Sequence, residues 1–337
     1  MPSEFELIAR YFTRPTSHTL LGAGDDGALI CPAPGMALVM STDMLVSGTH
    51  FMLDTDPAAL GWKTLAVNLS DLAAMGAQPR WALLAAALPE ADEDWLAAFA
   101  SGFFECAAAF GIDVIGGDTT RGPMNFCVTV TGEVPMEGNQ SQALLRSGAR
   151  PGDEIWVSGA PGRAALGLAH LQGRCLLSEP ARGDCLAALT RPQPRVALGI
   201  ALRGLASAAI DVSDGLLADL GHILERSGMA ATVHGDWLPD AARHAAPHDA
   251  ALAQACLLTG GDDYELVFTA PASRHARIAA LSGVLGLALT CIGNISARTP
   301  GEISQLHQLP PQLPQLTLLD AEQNAIPVPR RGYDHFA

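Results

Sequence analysis

The sequence predicts a two-domain protein of the α/β (α+β) class, and three observations lead to this. At 337 residues the chain has the length of two average domains, at about 150 residues each. Short apolar runs alternate with longer stretches of helical periodicity, which is the rhythm of α/β folds. The segment 146–153, R-S-G-A-R-P-G-D, has the Pro and Gly content of a linker. We therefore expect one domain at residues 1–148 and another at 149–337.

Capping residues and apolar runs predict the elements of the first domain. We expect a helix at residues 57–75, because Asp56 is a good N-cap, Pro57 suits the first helical position and Gly76 ends the pattern. A second helix is expected at residues 93–110. The apolar runs predict strands at residues 36–41, 81–88, 114–115 and 126–134.

The second half of the chain restarts the same alternation, which supports a second domain of similar class. Beyond Pro300 the sequence is rich in Pro, Gln and Leu, and we expect a tail that wraps over the domain. The patterns predict strands at residues 154–158, 208–212, 264–269 and 287–292, and helices at 163–171, 195–205 and 216–227.

Composition excludes several classes of protein. With 35 acidic against 20 basic side chains the formal charge is −15, so the mean field repels nucleic acid and anionic membranes. No apolar run approaches the roughly 18 residues of a membrane span. Seven scattered cysteines without a C-x-x-C pair, and an N-terminus without signal-peptide features, lead us to expect a cytoplasmic location.

A glycine-rich segment at residues 22–27, G-A-G-D-D-G, formally matches the dinucleotide fingerprint G-x-G-x-x-G. The context does not fit, because prolines follow closely and two carboxylates occupy the positions that phosphates would approach. A turn that presents Asp25 and Asp26 suits a hard divalent cation better. The alternative is an ordinary Asp-Gly turn with no ligand.

Two further acidic features lie in the first domain. Ser41, Thr42 and Asp43 are expected at the end of the first strand, where they suit Mg²⁺ and phosphate. Asp71 lies inside the first predicted helix, three residues after Asn68 and therefore on the same face. A solvated polar pair is the alternative, but the surrounding residues are apolar, and an unpaired buried carboxylate would be costly.

Three further turns also combine glycine with acidic residues, at residues 116–122, 210–215 and 260–265. They offer backbone N–H groups and carboxylates of the kind that bind phosphate and its metal ions. The single lysine, Lys63, is not preceded by Walker-loop glycines, so the P-loop class is excluded. If phosphates bind, metal ions must supply most of the charge neutralisation.

At these motifs the chain resembles the thiamine-monophosphate kinase family, within the ATP-binding superfamily that includes aminoimidazole ribotide synthetase and selenophosphate synthetase. The motifs run in family order from near the N-terminus to the C-terminus. They are G-A-G-D-D-G-A-L-I at Gly22, S-T-D-M-L-V-S-G-T-H-F at Ser41, N-L-S-D-L-A-A-M-G-A at Asn68, G-G-D-T-T-R-G at Gly116, R-S-G-A-R-P-G-D at Arg146, A-I-D-V-S-D-G-L at Ala209, G-G-D-D-Y-E-L at Gly260 and G-Y-D-H-F at Gly332.

The resemblance implies Mg²⁺-dependent transfer of the ATP γ-phosphoryl group to thiamine monophosphate. It also implies an N-terminal α/β domain that forms a homodimer interface, and a C-terminal α/β domain that closes over the nucleotide. Asp43, Asp71 and Asp118 are the expected catalytic residues. Expected nucleotide contacts are Gly117, Asp118, Arg146 and Ser213, and expected ligands of several Mg²⁺ ions are Asp26, Ser41, Thr42, Asp43, Asp71, Asp118, Asp211 and Asp214.

The expected substrate contacts are His50, Asp262 and Arg330, and two of them depart from the family pattern. Asp262 stands where the family often has Glu, so its contact to thiamine is longer or mediated by water. Arg330 replaces a family aromatic residue, and its guanidinium plane can still stack. The alternatives are a synthetase that activates another acceptor with ATP, and a non-enzymatic metal-binding or sensor protein.

Overall fold

The computed structural model describes residues 4–298, 316–328 and 332. It divides into two compact units. Unit 1 holds the described residues up to Ala143 together with Thr190–Val196, and unit 2 holds those from Leu144 to Leu189 and from Ala197 onward. Among the helices of these residues, none is both long enough and apolar enough to cross a membrane.

Unit 1 is a sheet covered on one face by two long helices. Its helices are α1 (Glu4–Leu7), which continues into a π-helical turn at Ile8–Phe12, α2 (Pro57–Ala74) and α3 (Glu93–Phe110). Its strands are β1 (Thr19–Leu21), β2 (Leu29–Ile30), β3 (Met36–Val46), β4 (Gln78–Leu88), β5 (Asp113–Arg121), β6 (Asn125–Glu137) and β7 (Gln140–Ser141).

The main sheet of unit 1 has the strand order β3-β6-β4-β5, and β7 adds to the end of β6. Strand β6 is antiparallel to both of its long neighbours, whereas β4 and β5 are parallel. Register aligns Asp43 with Val128, Val128 with Leu84, and Leu84 with Gly117. These four residues form one row across the sheet, with β3 and β5 at its two ends.

The two long helices of unit 1 pack with their backbones in close approach. Asp56 caps α2 by accepting a hydrogen bond from the Ala59 N–H at 2.8 Å, as the sequence predicts. A Cβ on Gly61 would lie 2.0 Å from the Phe99 oxygen, and one on Gly102 would lie 1.8 Å from the Ala58 oxygen. Glycine is therefore required at both positions, although it weakens a helix interior.

Two strands of unit 1 are longer than the sequence predicts. The first runs through Thr42 and Asp43 to Val46 rather than ending there, and the strand expected at residues 114–115 runs on to Arg121. The cause is pairing: β6 is 13 residues long and offers β3 a partner along its whole length. The prediction that Ser41, Thr42 and Asp43 lie at a strand end is therefore wrong.

Residues 190–196 join unit 1 although they follow 46 residues of unit 2 in sequence. The Trp62 indole N–H donates to the Pro192 oxygen at 2.7 Å. Arg191 pairs with Glu105 at 2.7 Å and lies over the Trp62 ring at 4.6 Å. No single boundary divides the chain, and we keep the boundary near residue 148 as a proposal.

Unit 2 is a seven-stranded sheet with helices packed against it. Its strands in spatial order are β14-β13-β10-β12-β8-β11-β9, and every neighbouring pair is antiparallel except β10 and β13. The strands are β8 (Asp153–Ser158), β9 (Ala208–Val212), β10 (Met229–His234), β11 (Glu265–Pro271), β12 (Leu289–Ala297), β13 (Leu316–Leu319) and β14 (Ala325–Ile326). The helices are α4 (Arg163–Leu171), α5 (Ala181–Thr190), α6 (Val196–Leu202), α7 (Leu216–Ser227), α8 (Ala241–Ala245), α9 (Ala250–Thr259) and α10 (His275–Leu285).

The expected wrapped tail is wrong for its described part, since β13 and β14 continue the sheet of unit 2. Leu318 is buried there and belongs to the core of the unit. Sequence reasoning also missed β10 and the helices α5, α8, α9 and α10. The strand β10 and the helix α8 are short, and the apolar residues of α5, α9 and α10 are not concentrated on one helix face, so these segments do not show one clear period.

Candidate functional site

The helix-facing side of β3 carries the first group of predicted site residues. The Ser41 hydroxyl donates to the Asp71 carboxylate at 2.5 Å. The Asp43 backbone N–H donates to the Asn68 side-chain oxygen at 2.8 Å, and the Asn68 amide donates to the Thr64 oxygen at 3.1 Å. Asn68 and Asp71, one turn apart on α2, thus both contact β3. Helix and strand together hold the Asp71 carboxylate and the main chain at Asp43 in one polar group.

Thr42 lies on the opposite face of the same sheet, because side chains alternate along a strand. Its hydroxyl donates to the Val128 oxygen at 3.0 Å and accepts from the Thr129 hydroxyl at 3.1 Å. The Thr42 side chain therefore does not lie beside those of Ser41 and Asp43, and its role as a metal ligand stays a prediction.

Gly117 and Asp118 lie on β5, at the far edge of the sheet from Asp43. Three strand spacings separate the ends of the row, which is roughly 14 Å along the sheet. A Cβ on Gly117 would lie 1.7 Å from the Leu84 oxygen, so this position accepts glycine alone. Within unit 1 the backbone register does not bring Asp118 beside Asp43.

His50 lies in the tight turn that follows β3. Its Nδ1 accepts the Val46 backbone N–H at 2.9 Å, and its own carbonyl accepts from the Lys63 ammonium at 3.4 Å. Lys63, only 3% exposed, is the single lysine of the chain. Since Nδ1 is an acceptor, the ring carries its hydrogen on Nε2. His50 is thereby held as a neutral hydrogen-bond donor, which suits an anionic ligand.

The glycine loop of unit 1 presents two exposed carboxylates. The Asp26 backbone N–H donates to the Asp25 carboxylate at 3.0 Å, so Asp25 stabilises the turn. Gly24 has a φ of 127°, in the region that glycine adopts readily. The loop thus combines both interpretations: Asp25 is a turn residue, and Asp26 is the candidate ligand.

In unit 2, Asp211 and Asp214 flank the turn between β9 and α7. Asp211 is buried within the strand. The carboxylate of Asp219 accepts the backbone N–H groups of Ser213, Asp214 and Gly215, each at 3.1 Å. Burial, assisted by the charge of Asp214, raises the pKa of Asp219 to about 7, although the three N–H groups act to lower it.

The G-G-D-D-Y-E-L segment lies directly against this turn. The Asp262 N–H donates to the Ser213 oxygen at 2.9 Å, and the Tyr264 N–H donates to the Val212 oxygen at 2.8 Å. The Tyr264 hydroxyl donates to the Asp262 carboxylate at 2.9 Å. Asp262 and Tyr264 both have positive φ, 69° and 51°, a strained state for such residues that concentrates at functional sites.

Asp263, although adjacent to Asp262, is a structural residue. Its carboxylate accepts the N–H groups of Gly162, at 2.5 Å, and Ala164, at 3.2 Å, at the start of α4. Complete burial raises its pKa well above the usual range. Of the two aspartates in the motif, only Asp262 remains a candidate for substrate binding.

Arg146 is exposed, and the chain after it is tied to α7. The Ser227 hydroxyl donates to the Arg146 oxygen at 3.3 Å and accepts the N–H groups of Gly148 and Ala149 at 3.2 Å. The remaining predicted substrate contact, Arg330, lies outside the described residues, as does all of the G-Y-D-H-F motif after Gly332.

The donor chemistry of these groups fits Mg²⁺. All the candidate ligands are oxygen atoms, which this ion prefers, and Mg²⁺ commonly binds through one or two carboxylates together with waters and substrate phosphates. In the described part of the chain, no three His, Cys, Asp or Glu side chains gather into one metal-binding group. The fold does place the Ser41 hydroxyl against the Asp71 carboxylate.

The structure also shows residues whose part in the site the sequence did not predict: Asp219, Tyr264 and Lys63. Their sequence signals were weak, because each acts through a backbone group or a neighbouring side chain. Position alone offered one hint, since Asp219 falls in the first turn of a predicted helix, where carboxylates are favoured.

Two family models match most of the chain. The AIR synthase related protein N-terminal domain matches residues 24–134, and the C-terminal domain of the same description matches residues 150–304. Thiamine-monophosphate kinase of Salmonella typhimurium is 46% identical over 99% of this chain and 98% of its own length. The corresponding protein of Escherichia coli K12 is also 46% identical, with the same coverage. The chain belongs to the thiamine-monophosphate kinase family.

Solved structures of the thiamine-monophosphate kinase family agree with the fold. The enzyme of Stenotrophomonas maltophilia superposes with a TM-score of 0.78 at 49% identity, covering 88% of this chain and 93% of that one. A structure described as AaThiL complexed with AMPPCP and TMP has a TM-score of 0.75 at 26% identity, covering 91% and 89%. The predicted family and the two-domain α/β class are therefore confirmed.

Proposed function

We propose that the protein transfers the γ-phosphoryl group of ATP to thiamine monophosphate, forming thiamine diphosphate and ADP. Membership of the thiamine-monophosphate kinase family, at 46% identity over nearly the full length, carries this proposal. The relative described with AMPPCP and TMP supports a site that takes both a nucleotide and thiamine monophosphate. The polar group of Ser41, Asp43, Asn68 and Asp71 supplies matching chemistry.

The reaction places modest demands on acid–base chemistry. A phosphate monoester has its second pKa near about 6, so the acceptor is already largely anionic at neutral pH. The task of the protein is to align two polyanions in line. Mg²⁺, when bound, neutralises phosphate charge. Ser41 orients the Asp71 carboxylate, and Asn68 fixes the main chain at Asp43, so both acids are positioned before the ligands arrive.

We assign the remaining roles by the same reasoning. Gly117 contacts the nucleotide through its main chain, since the space that a side chain would take is filled by the Leu84 backbone. Asp118 and Asp26 bind Mg²⁺ on the N-terminal side, and Asp211 and Asp214 do so on the C-terminal side. Ser213 and Arg146 contact the nucleotide. His50 donates its Nε2–H to thiamine monophosphate, and Asp262, oriented by Tyr264, contacts the thiamine.

We further propose that the protein is a homodimer through unit 1. The sheet face away from the helices exposes large apolar side chains, and contiguous patches of this kind are typical of protein interfaces. Asp43 and Asp118 lie on strands at opposite edges of the sheet, and the register within one copy does not bring them together. The exposed apolar residues on this face are Leu38, Met40, Met44 and Leu83.

The dimer proposal is tested by sedimentation of the wild type and of Met40→Arg. Met40 is 65% exposed, so the substitution does not disturb the core of a monomer. We expect a dimer for the wild type and a monomer for the variant. A monomeric wild type would overturn the proposal.

We also propose a cytoplasmic location, because all seven cysteines are free and a reducing compartment keeps cysteines in that state.

The decisive experiment for the activity is to incubate the purified protein with ATP, Mg²⁺ and thiamine monophosphate. We expect thiamine diphosphate and ADP in equal amounts. Free thiamine in place of the monophosphate is the control acceptor and should give no diphosphate. Binding of Mg²⁺ without turnover of ATP would contradict the proposal and favour the sensor alternative.

A further inference from the structure

The turn before α7, residues Ser213 to Gly215, is shaped around a buried carboxylate. Asp219 is 2% exposed, and one of its oxygens, Oδ2, accepts all three backbone N–H groups of the turn at 3.1 Å. We propose that Asp219 is a positioning residue: it holds Ser213 and Asp214 in the conformation that binds Mg²⁺ and the nucleotide. This inference rests on the proposed function, which assigns those two residues their ligands.

Three converging N–H groups in front of a helix form a concave site for anions, the arrangement by which many proteins bind phosphate. Here the protein fills that site with its own side chain. The N–H groups of Ser213, Asp214 and Gly215, which precede α7 (Leu216–Ser227), are thus not available to a nucleotide phosphate. The side chains of Ser213 and Asp214 remain to contact the nucleotide and its metal ions.

The carbonyl side of the same turn is held as firmly as the N–H side. The Ser213 oxygen accepts the Asp262 N–H at 2.9 Å, and the Val212 oxygen accepts the Tyr264 N–H at 2.8 Å. A Cβ on Gly261 would lie 2.4 Å from the Ser213 oxygen. Asp219 therefore determines the shape of the turn from one side, while the G-G-D-D-Y-E-L segment determines it from the other.

Two variants separate positioning from general stability. Asp219→Leu keeps the branched shape and the number of heavy side-chain atoms but removes every acceptor, whereas Asp219→Asn keeps an oxygen that can accept N–H groups. Glu133→Gln is the matched control, because Glu133 is also a buried carboxylate, 3% exposed, that accepts a backbone N–H, from Ala33 at 2.7 Å. It contacts none of the proposed ligand-binding residues. All variants are assayed well below their melting temperatures.

We expect Asp219→Leu to raise KM for ATP by at least about tenfold while KM for thiamine monophosphate changes by less than about threefold. Asp219→Asn should recover the KM for ATP to within about threefold of the wild type. Glu133→Gln should lower the melting temperature without changing either KM. Unchanged KM for ATP in Asp219→Leu, or equal changes for both substrates, would overturn the proposal.

A binding measurement keeps the inference independent of activity. Mn²⁺ is titrated into the wild type, Asp219→Leu and Glu133→Gln and followed by paramagnetic resonance of the free ion. We expect Asp219→Leu alone to bind Mn²⁺ more weakly, by at least about fivefold, because Asp214 is displaced. Equal Mn²⁺ binding in all three proteins would contradict the positioning role. If Asp219→Leu binds Mn²⁺ more weakly than the wild type but the wild type does not phosphorylate thiamine monophosphate, only the proposed function is overturned.

Discussion

The two units hold their candidate carboxylates in different ways. In unit 1 the candidates lie on a helix and a strand. Ser41 on β3 orients the Asp71 carboxylate on α2, and Asn68 on α2 fixes the main chain at Asp43 on β3. In unit 2 the candidates lie at or beside turns. There a buried carboxylate, Asp219, accepts the backbone N–H groups that shape the turn.

This difference shows that acids within one motif have separate tasks. Asp219 and Asp263 are almost fully buried, and their oxygens accept N–H groups of the main chain. Asp26 and Asp262 are more accessible and are suited to ligands. A buried carboxylate needs several donors to offset the loss of its hydration. Burial together with N–H partners therefore distinguishes acids that shape the main chain from candidate ligands.

The largest effect is expected from Asp71→Asn in unit 1. The amide oxygen still accepts from Ser41, so the fold should persist, but the charge that attracts Mg²⁺ is lost. We expect turnover to fall by at least about a hundredfold with thermal unfolding little changed. Asp92→Asn, at the exposed cap of α3, is the control and should retain full turnover. Near-normal turnover in Asp71→Asn would refute the assignment.

Gly261→Ala tests the close backbone contact in unit 2. The new Cβ would lie 2.4 Å from the Ser213 oxygen, so the two loops must separate. We expect a loss of about 1–3 kcal/mol in the free energy of unfolding, measured by urea denaturation. Gly27→Ala, whose Cβ would meet no atom within 4 Å, should change it by less than about 0.5 kcal/mol. Equal losses would remove the distinction between the two glycine loops.

Asn68→Ala tests the polar group of unit 1 with a smaller expected effect. The Asp43 N–H loses its acceptor in a half-buried position, which costs about 1–2 kcal/mol of stability. Turnover should fall because the main chain at Asp43 is no longer fixed. Asn125→Ala removes only a local bond to the Pro123 oxygen and serves as the control. The comparison fails if the two variants unfold at the same denaturant concentration.

The smallest effect concerns pH. Burial opposes the ionisation of Glu133, but the Ala33 N–H and the Arg80 guanidinium outweigh it and hold its pKa below the usual 4.5. The unfolded chain therefore binds this proton first as pH falls, so stability decreases below about pH 4.5. Glu133→Gln should be less stable at neutral pH and should lose this part of the acid dependence. The free energy of unfolding is measured by urea denaturation between neutral pH and about pH 4. The same decrease at acidic pH in Glu133→Gln and the wild type would contradict this prediction.

Much of the secondary structure was predictable where local signals are strong. The helix at residues 93–110 and the strand at 208–212 have the predicted bounds, and α2 begins at Pro57 after its Asp56 cap. Thr42 shows what local sequence signals do not predict. Its hydroxyl was predicted beside Ser41 and Asp43, yet the strand continues through it, and alternation turns it to the other face.

By itself, the sequence determined the family and the two α/β domains, and it predicted a dependence on metal ions from its one lysine and 22 aspartates. Only the tertiary structure showed what the other acids of these motifs do. Ser41 and Asp71 are 30 residues apart and meet because β3 packs on α2. Asp219 and Asp263 are structural because N–H groups from neighbouring segments surround them. An aspartate has the same intrinsic chemistry at every position, and its burial and hydrogen-bond donors decide its task.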